Sequence, residues 1–274
     1  MTKQRSNMKI PRRTFLKVCA AAAAAGLTAC GKTQAAAALP ELTVGSDNYP
    51  PFNYMGTDGA PTGIDVELAT EAFGRLGYRV KFVTIDWEKK KELLASGELD
   101  CVMGSFSMTG RENEYRWAGP YLASRQVVAV DPQSDIYTLA DLEDKVVAVQ
   151  STTKPEDILL NHTNENVPQI KELYSFSDRS YLNPALVEGL VDAIAAHESS
   201  LLTYEKDYGV TYRILDEPLL EVGLGTAFDI NDTRGIDVKL THAYQEMLAD
   251  GTMKRLVSKY FDDPSPFLNI EGLS

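Results

Sequence analysis

Apolar positions along this chain switch back and forth between the period of a strand and the period of a helix. Residues 42–45 form a short apolar run ending at Gly45, read as a strand. Over residues 65–76, Val66, Leu68, Ala69, Ala72, Phe73 and Leu76 recur at helical spacing, and Gly77 stops the helix. Residues 79–84 alternate as a strand, 87–96 form a helix closed by Gly97, and 100–103 and 126–130 read as buried strands. The alternation then restarts. Thr138-Leu139-Ala140-Asp141 has the spacing of a short capped helix. Strands are predicted over 145–150, 170–174, 192–196 and 212–215, and helices over 155–160, 180–188 and 198–208, the last ended by Gly209. Residues 222–228 are again apolar and Gly-bearing; helices follow over 233–249 and 253–260, with Gly251 between them. Strands alternating with helices predict mostly parallel sheets covered on both faces. Two such series predict an α/β protein of two lobes.

Composition agrees with a folded chain and narrows its partners. Of 274 residues, 44% are hydrophobic and 24% charged, enough apolar surface to offset the entropy of ordering. The 27 Lys+Arg and 39 Asp+Glu give a net charge of −12, which argues against a nucleic-acid partner. Three Cys cannot build a disulfide framework, so the fold rests on its core.

The charge is uneven. Residues 1–29 hold six basic groups and no acid; taking 6 from 27 leaves 21 basic against 39 acidic groups, a net of −18, in the rest. A basic start followed by the apolar run 18–29 is an export signal, too short to span a bilayer. Pro11-Arg12-Arg13-Thr14-Phe15-Leu16-Lys17 resembles a twin-arginine signal. Leu27-Thr28-Ala29-Cys30-Gly31 resembles a bacterial lipobox, in which the Cys is acylated and becomes the first residue of the mature protein. Residues 1–29 are therefore expected to be a lipoprotein signal peptide, Cys30 the lipidation site and residues 30–40 a flexible tether. No later segment is apolar enough to cross a membrane. The protein is expected outside the cytoplasm, attached through lipid. Cys101, alone in an apolar run, is expected to be an inert core thiol.

Several catalytic signatures fail. His197-Glu198 lacks the second His of a zinc-protease helix, and the three His (His162, His197, His242) form no close cluster with Cys, so no metal is expected. Ser151-Thr152-Thr153-Lys154 has Ser-x-x-Lys spacing without its companion motifs. Gly223-Leu224-Gly225 lacks the third Gly of a dinucleotide fingerprint. No catalytic residue and no cofactor is expected. Ligand capture fits better than turnover.

Four segments, in order, carry a resemblance. Asp47-Asn48-Tyr49-Pro50-Pro51-Phe52 is followed by Gly63-Ile64-Asp65-Val66. Trp87 precedes Ser96-Gly97-Glu98-Leu99-Asp100. Gly104-Ser105-Phe106-Ser107-Met108-Thr109-Gly110-Arg111 precedes Trp117 and Pro120-Tyr121. Val147-Ala148-Val149-Gln150-Ser151-Thr152-Thr153-Lys154 precedes Gly189-Leu190-Val191-Asp192-Ala193. Together these resemble the extracellular solute-binding proteins, family 3, of polar amino-acid ABC importers. The resemblance implies a type II periplasmic-binding fold: lobe one at 41–122 plus 224–274, lobe two at 123–223, a ligand cleft between them and a membrane permease as partner. A monomer is expected.

The resemblance also implies site roles. Arg111 would hold a ligand carboxylate with its planar fork of donors, although only Gly110 separates it from Thr109 where the family usually has two residues. Gly104, Ser105 and Ser107 would line the cleft, the two hydroxyls on one side of an extended segment. Thr152, Thr153 and Lys154, between a strand and a helix start, would meet the carboxylate from lobe two. Tyr49 and Trp87 would flank the ligand side chain. His197 stands where the family usually has the Asp that meets an α-ammonium, and a protonated imidazole would repel that group. Glu198 and Asp47 are the candidate substitutes. Three functions stay open: capture for an importer, ligand sensing, and an exported enzyme similar to cyclohexadienyl dehydratase with Glu198 or His197 as acid.

Overall fold

The computed structural model describes residues 38–273. The export segments, Cys30 and most of the tether lie outside the described residues. The chain runs β1 (Glu41–Ser46), the hairpin β2 (Tyr54–Met55) and β3 (Pro61–Thr62), α1 (Ile64–Arg75), β4 (Arg79–Thr84), α2 (Lys90–Ser96), β5 (Cys101–Val102) and the long β6 (Arg116–Val130). There follow β7 (Val146–Gln150), α3 (Lys154–Asn161), β8 (Glu172–Phe176), α4 (Leu182–Val187), β9 (Ala193–His197), α5 (Glu198–Tyr208), β10 (Arg213–Ile214) and β11 (Leu220–Phe228). The helices α6 (Ile236–Ala249), α7 (Thr252–Val257) and α8 (Ser265–Leu268) complete it.

One mixed sheet orders these strands β4-β1-β5-β11-β6-β9-β7-β8, with β10 on β6. β1 pairs in parallel with β4 and β5, and β7 in parallel with β8 and β9. Between the two parallel groups stands an antiparallel pair, β11 and β6. The apolar core divides the same way. One cluster joins Val44, Phe52 and Phe73 to Leu224 and Leu240. Two others, around Val147, Val149 and Leu139 and around Ile194 and Leu201, lie at the far end of the sheet. The α/β alternation predicted by the pattern is thus the observed architecture.

The local signals behave as their chemistry dictates. Gly63, at φ 123°, leads into α1; a Cβ there would sit 2.3 Å from the Phe52 carbonyl oxygen. The capping box at Thr138 and Asp141 forms, on a single 3₁₀ turn. The clearest difference is β6, predicted over 126–130 but beginning at Arg116. Gly119-Pro120 interrupts the alternation of residues 116–125. The strand tolerates them because its register with β11 shifts between Leu224 and Thr226, where a missing N–H disturbs no regular ladder.

Candidate functional site

A narrow cavity of about 30 Å³ lies against the middle of the sheet, between the two groups of core clusters. Ten of the twelve candidate ligand residues line it. Tyr49, Trp87, Gly104, Ser105, Ser107 and Arg111 come from one side. Thr152, Thr153, Lys154 and His197 come from the other. Asp47 and Glu198 do not line it.

The segment through Ser105 and Ser107 is held by β11. Met108 N–H donates to the Gly223 carbonyl and Gly225 N–H to the Phe106 carbonyl, both at 2.9 Å. From α1, Asp65 Oδ2 accepts the N–H groups of Gly104 at 2.9 Å and Ser105 at 2.8 Å, while Tyr121 Oη donates to Oδ1 at 3.0 Å. Burial raises the Asp65 carboxyl to about 6, and these three bonds oppose the rise. Ser105 is held in the left-handed region at φ 53°. Gly104 has φ 128°, and a Cβ there would meet Ser46 Oγ at 2.5 Å. Asp65 positions this wall without reaching the cavity; its place at the start of an apolar helix gave no sign of that role.

Arg111 reaches the cavity without an ion pair to any acid among the described residues. Its guanidinium donates to two carbonyls, Thr152 at 3.1 Å and Ser107 at 3.4 Å, and stacks 5.3 Å from the Phe106 ring centre. Trp87 opens a 3₁₀ turn capped by Asp86, whose carboxylate accepts the Glu88 N–H at 3.1 Å. The indole is only 4% exposed and packs edge-on against Phe106 at 5.0 Å. It serves core and cavity wall together.

The opposing wall corrects one expectation. The Thr152 N–H is not free for an anion: Glu156 Oε2 accepts it at 2.5 Å. Thr153 Oγ1 donates to the Gln150 carbonyl at 2.6 Å, and Lys154 Nζ pairs with Asp157 at 2.8 Å. Thr152 adopts φ 59°, which a β-branched side chain rarely tolerates. Two cations from the facing side hold it there. Arg111 donates to its carbonyl, and Lys90 Nζ donates to its Oγ1 at 2.7 Å.

The two acid candidates are engaged elsewhere. Asp47 Oδ2 accepts from Arg179 Nε and Gln150 Nε2, each at 2.8 Å. Arg179 in turn lies over the Tyr49 ring, 3.1 Å from its centre. Glu198 turns away to pair with Arg125 at 2.7 Å, in a separate cavity bounded by Pro266 and Phe267. His197 is 5% exposed, and both ring nitrogens have partners: Ser124 Oγ and Gln126 Nε2, each at 2.7 Å. An amide N–H can only donate, so in this arrangement Nε2 accepts and Nδ1 carries the proton toward Ser124. Burial, then the Arg179 charge, lowers its pKa to about 3, so the ring is neutral.

Sequence reasoning missed Gln126, Gln150, Arg179 and Lys90. Gln126 opened and Gln150 closed runs read only as strand, and Arg179 sat just before a predicted helix. Lys90 lay within a Lys-rich stretch, Lys89-Lys90-Lys91, with nothing to single it out. Four polar atoms on the lining residues are buried without a partner: Ser105 Oγ, Gln126 Oε1, Gln150 Oε1 and Trp87 Nε1.

The bacterial extracellular solute-binding proteins, family 3, match residues 42–263. The histidine-binding periplasmic protein of Salmonella typhimurium is 30% identical over 244 residues, covering 84% of this chain and 91% of the relative. The glutamate-binding protein GluB of Corynebacterium glutamicum is 27% identical over 282 residues, 93% of each chain. Among solved structures, an ancestral arginine-binding protein bound to arginine superposes with a TM-score of 0.72 at 27% identity, over 82% of this chain and 99% of that one. The fold is the type II periplasmic-binding architecture. The chain belongs to the bacterial extracellular solute-binding proteins, family 3.

Proposed function

We propose that this protein captures a small carboxylate-bearing solute, an amino acid or a close relative, in the cavity beside Arg111 and presents it to a membrane permease of an ABC importer. The observation that carries the reading is Arg111, a half-buried guanidinium at the cavity that forms no ion pair among the described residues. Its fork matches a carboxylate with two parallel hydrogen bonds. The relatives' names add histidine, glutamate and arginine as ligands of this fold.

Residues 41–122 with 224–274 act as one lobe and 123–223 as the other, joined through β6 and β11, which cross between the groups of core clusters. Ligand closes the lobes only through contacts made better in the closed form. Thr152 and Lys154 on one side and Arg111 on the other supply such contacts. The protein binds without turning its ligand over. Glu198, one of the two candidate acids, faces away from the cavity, and the other, His197, is neutral and bonded at both nitrogens. Cys30 carries lipid and holds a monomer on the outer face of a membrane; among the described residues no helix is long and apolar enough to cross one.

A thermal-shift screen of amino acids and organic acids tests the reading. A binder gains RT ln(1 + [L]/Kd), about 2.7 kcal/mol at a hundredfold excess over Kd. A ligand-stripped, folded preparation that shifts with none of them would remove the proposal.

A further inference from the structure

Cations outnumber acids around the cavity, and the surplus is localised. Arg179 is balanced by Asp47, and Lys154 by Asp157. Two cations on the other side, Arg111 and Lys90, meet only neutral oxygens. Lys90 is 5% exposed, and its Nζ donates to Thr152 Oγ1 at 2.7 Å and to the Trp87 carbonyl at 3.1 Å. It lies 4.8 Å from the Trp87 ring centre and 5.8 Å from that of Phe106. Thr152, Trp87 and Phe106 all line the cavity, so the ammonium stands directly behind its wall. The acids whose charge reaches it are engaged elsewhere: Asp47 pairs with Arg179 and Glu114 with Lys91, while Glu156 accepts the Thr152 N–H. Among the described residues, no carboxylate lines the cavity.

A buried cation without a counter-charge is costly, and an anion brought by a ligand offsets that cost. We infer that the cleft selects a solute with two acidic groups, one held by Arg111 and the second on the Lys90 side, and rejects basic amino acids. This deepens the proposed carboxylate capture and rests on it. Lys90 acts through Thr152. An ammonium can only donate, so Thr152 Oγ1 accepts from it and its O–H is left to donate to a ligand acid. The unpartnered amide oxygens of Gln126 and Gln150 offer neutral acceptors for a ligand N–H, where a carboxylate would be needed to favour a net positive charge.

The test is calorimetric titration of the purified chain, stripped of retained solute by unfolding and refolding. The titrants are L-glutamate, glutarate, L-glutamine and L-arginine. The expected result is that glutamate or glutarate binds at least tenfold tighter than glutamine, and at least a hundredfold tighter than arginine. Lys90→Met should reduce the preference for the dicarboxylate over glutamine at least tenfold in a chain that circular dichroism shows to be folded. Glutamine or arginine binding as tightly as both dicarboxylates would overturn the inference through the wild-type chain alone. An unchanged selectivity in a folded Lys90→Met would also overturn it. Binding of none of the four, nor of any other carboxylate, would instead remove the underlying reading of Arg111.

Discussion

Ser124 Oγ lies 2.7 Å from Nδ1 of His197 and accepts its N–H, fixing the tautomer of a ring that burial keeps neutral in the wall of the cavity. Gln126 Nε2, 2.7 Å from the other ring nitrogen, completes the arrangement. Both partners can equally donate to a carboxylate, so the position is ready to accept an acid. His197→Asp should fold and should add a counter-charge for a ligand ammonium. The expected outcome is at least a tenfold gain, about 1.4 kcal/mol, in the affinity ratio of L-glutamate over its amine-free analogue glutarate. Calorimetry reads both affinities. An unmoved ratio would show that a ligand amine does not approach this position.

The same imidazole links stability to pH. Its pKa falls from 6.5 in the unfolded chain to about 3 in the folded one. Between those values the unfolded chain binds a proton that the folded chain does not. The contribution is therefore fully present above pH 6.5 and is lost as pH falls toward 3, by up to about 1.4 kcal/mol per pH unit. Asp65 works in the opposite direction: raised from 3.8 to about 6, it takes its proton first in the folded chain and favours folding as pH falls through that window. Comparing wild type with His197→Asn isolates the first effect. Urea midpoints measured from pH 7 to pH 4 should fall less steeply for the variant. Parallel curves would mean that the ring takes up its proton equally in the folded and unfolded chains.

Much of the fold was legible because each helix carries its own apolar stripe and its own stop, as Leu68, Phe73 and Gly77 show. Long β6 was harder to read. Its first half is a strand because β11 lies beside it, and Gly119-Pro120 carries no strand signal of its own. Site residues divide likewise. Arg111, Ser105 and Thr152 stand in local motifs that chemistry makes conspicuous. Lys90 and Arg179 matter through partners 62 and 132 residues away, Thr152 and Asp47, which no local pattern connects. Glu198 looked suitable by position, but its pairing with Arg125, 73 residues distant, turns it from the cavity.

Arg111→Ala should weaken ligand binding at least a hundredfold, because charge-assisted bonds to a carboxylate contribute about 1.5–3 kcal/mol each. Arg111→Lys keeps the charge but loses the planar fork, and a loss of at least tenfold is expected. Apo stability should change little in either, since Arg111 donates only to the carbonyls of Ser107 and Thr152. Retained affinity in Arg111→Ala, measured by titration, would exclude the side chain from the site.

Cys101 should resist alkylation in the folded protein. It is fully buried in β5, and burial pushes its thiol pKa far up, so the reactive thiolate is scarce. Iodoacetamide at pH 8 should leave it unmodified by mass spectrometry and modify it fully in urea. Rapid labelling of the native chain would place the β1–β5 pairing in frequent local opening.

Asp65 separates the value of an acceptor from the value of a charge. Its Oδ2 satisfies two buried N–H groups that shape the Gly104–Ser105 wall, whereas its charge is disfavoured by complete burial. Asp65→Asn keeps an oxygen for both N–H groups and presents its NH₂ to Tyr121 Oη, which can accept as well as donate. It should remain within about 1 kcal/mol of wild type at pH 7 and keep ligand affinity. Asp65→Ala leaves both donors and the tyrosine hydroxyl without partners, at about 1–3 kcal/mol for each unsatisfied group. It should lower the urea midpoint strongly and weaken binding even where the chain stays folded, because the bond that fixes the Ser105 N–H at that residue's positive φ is then lost. Equal losses in the Asn and Ala variants would show that the negative charge itself holds the loop.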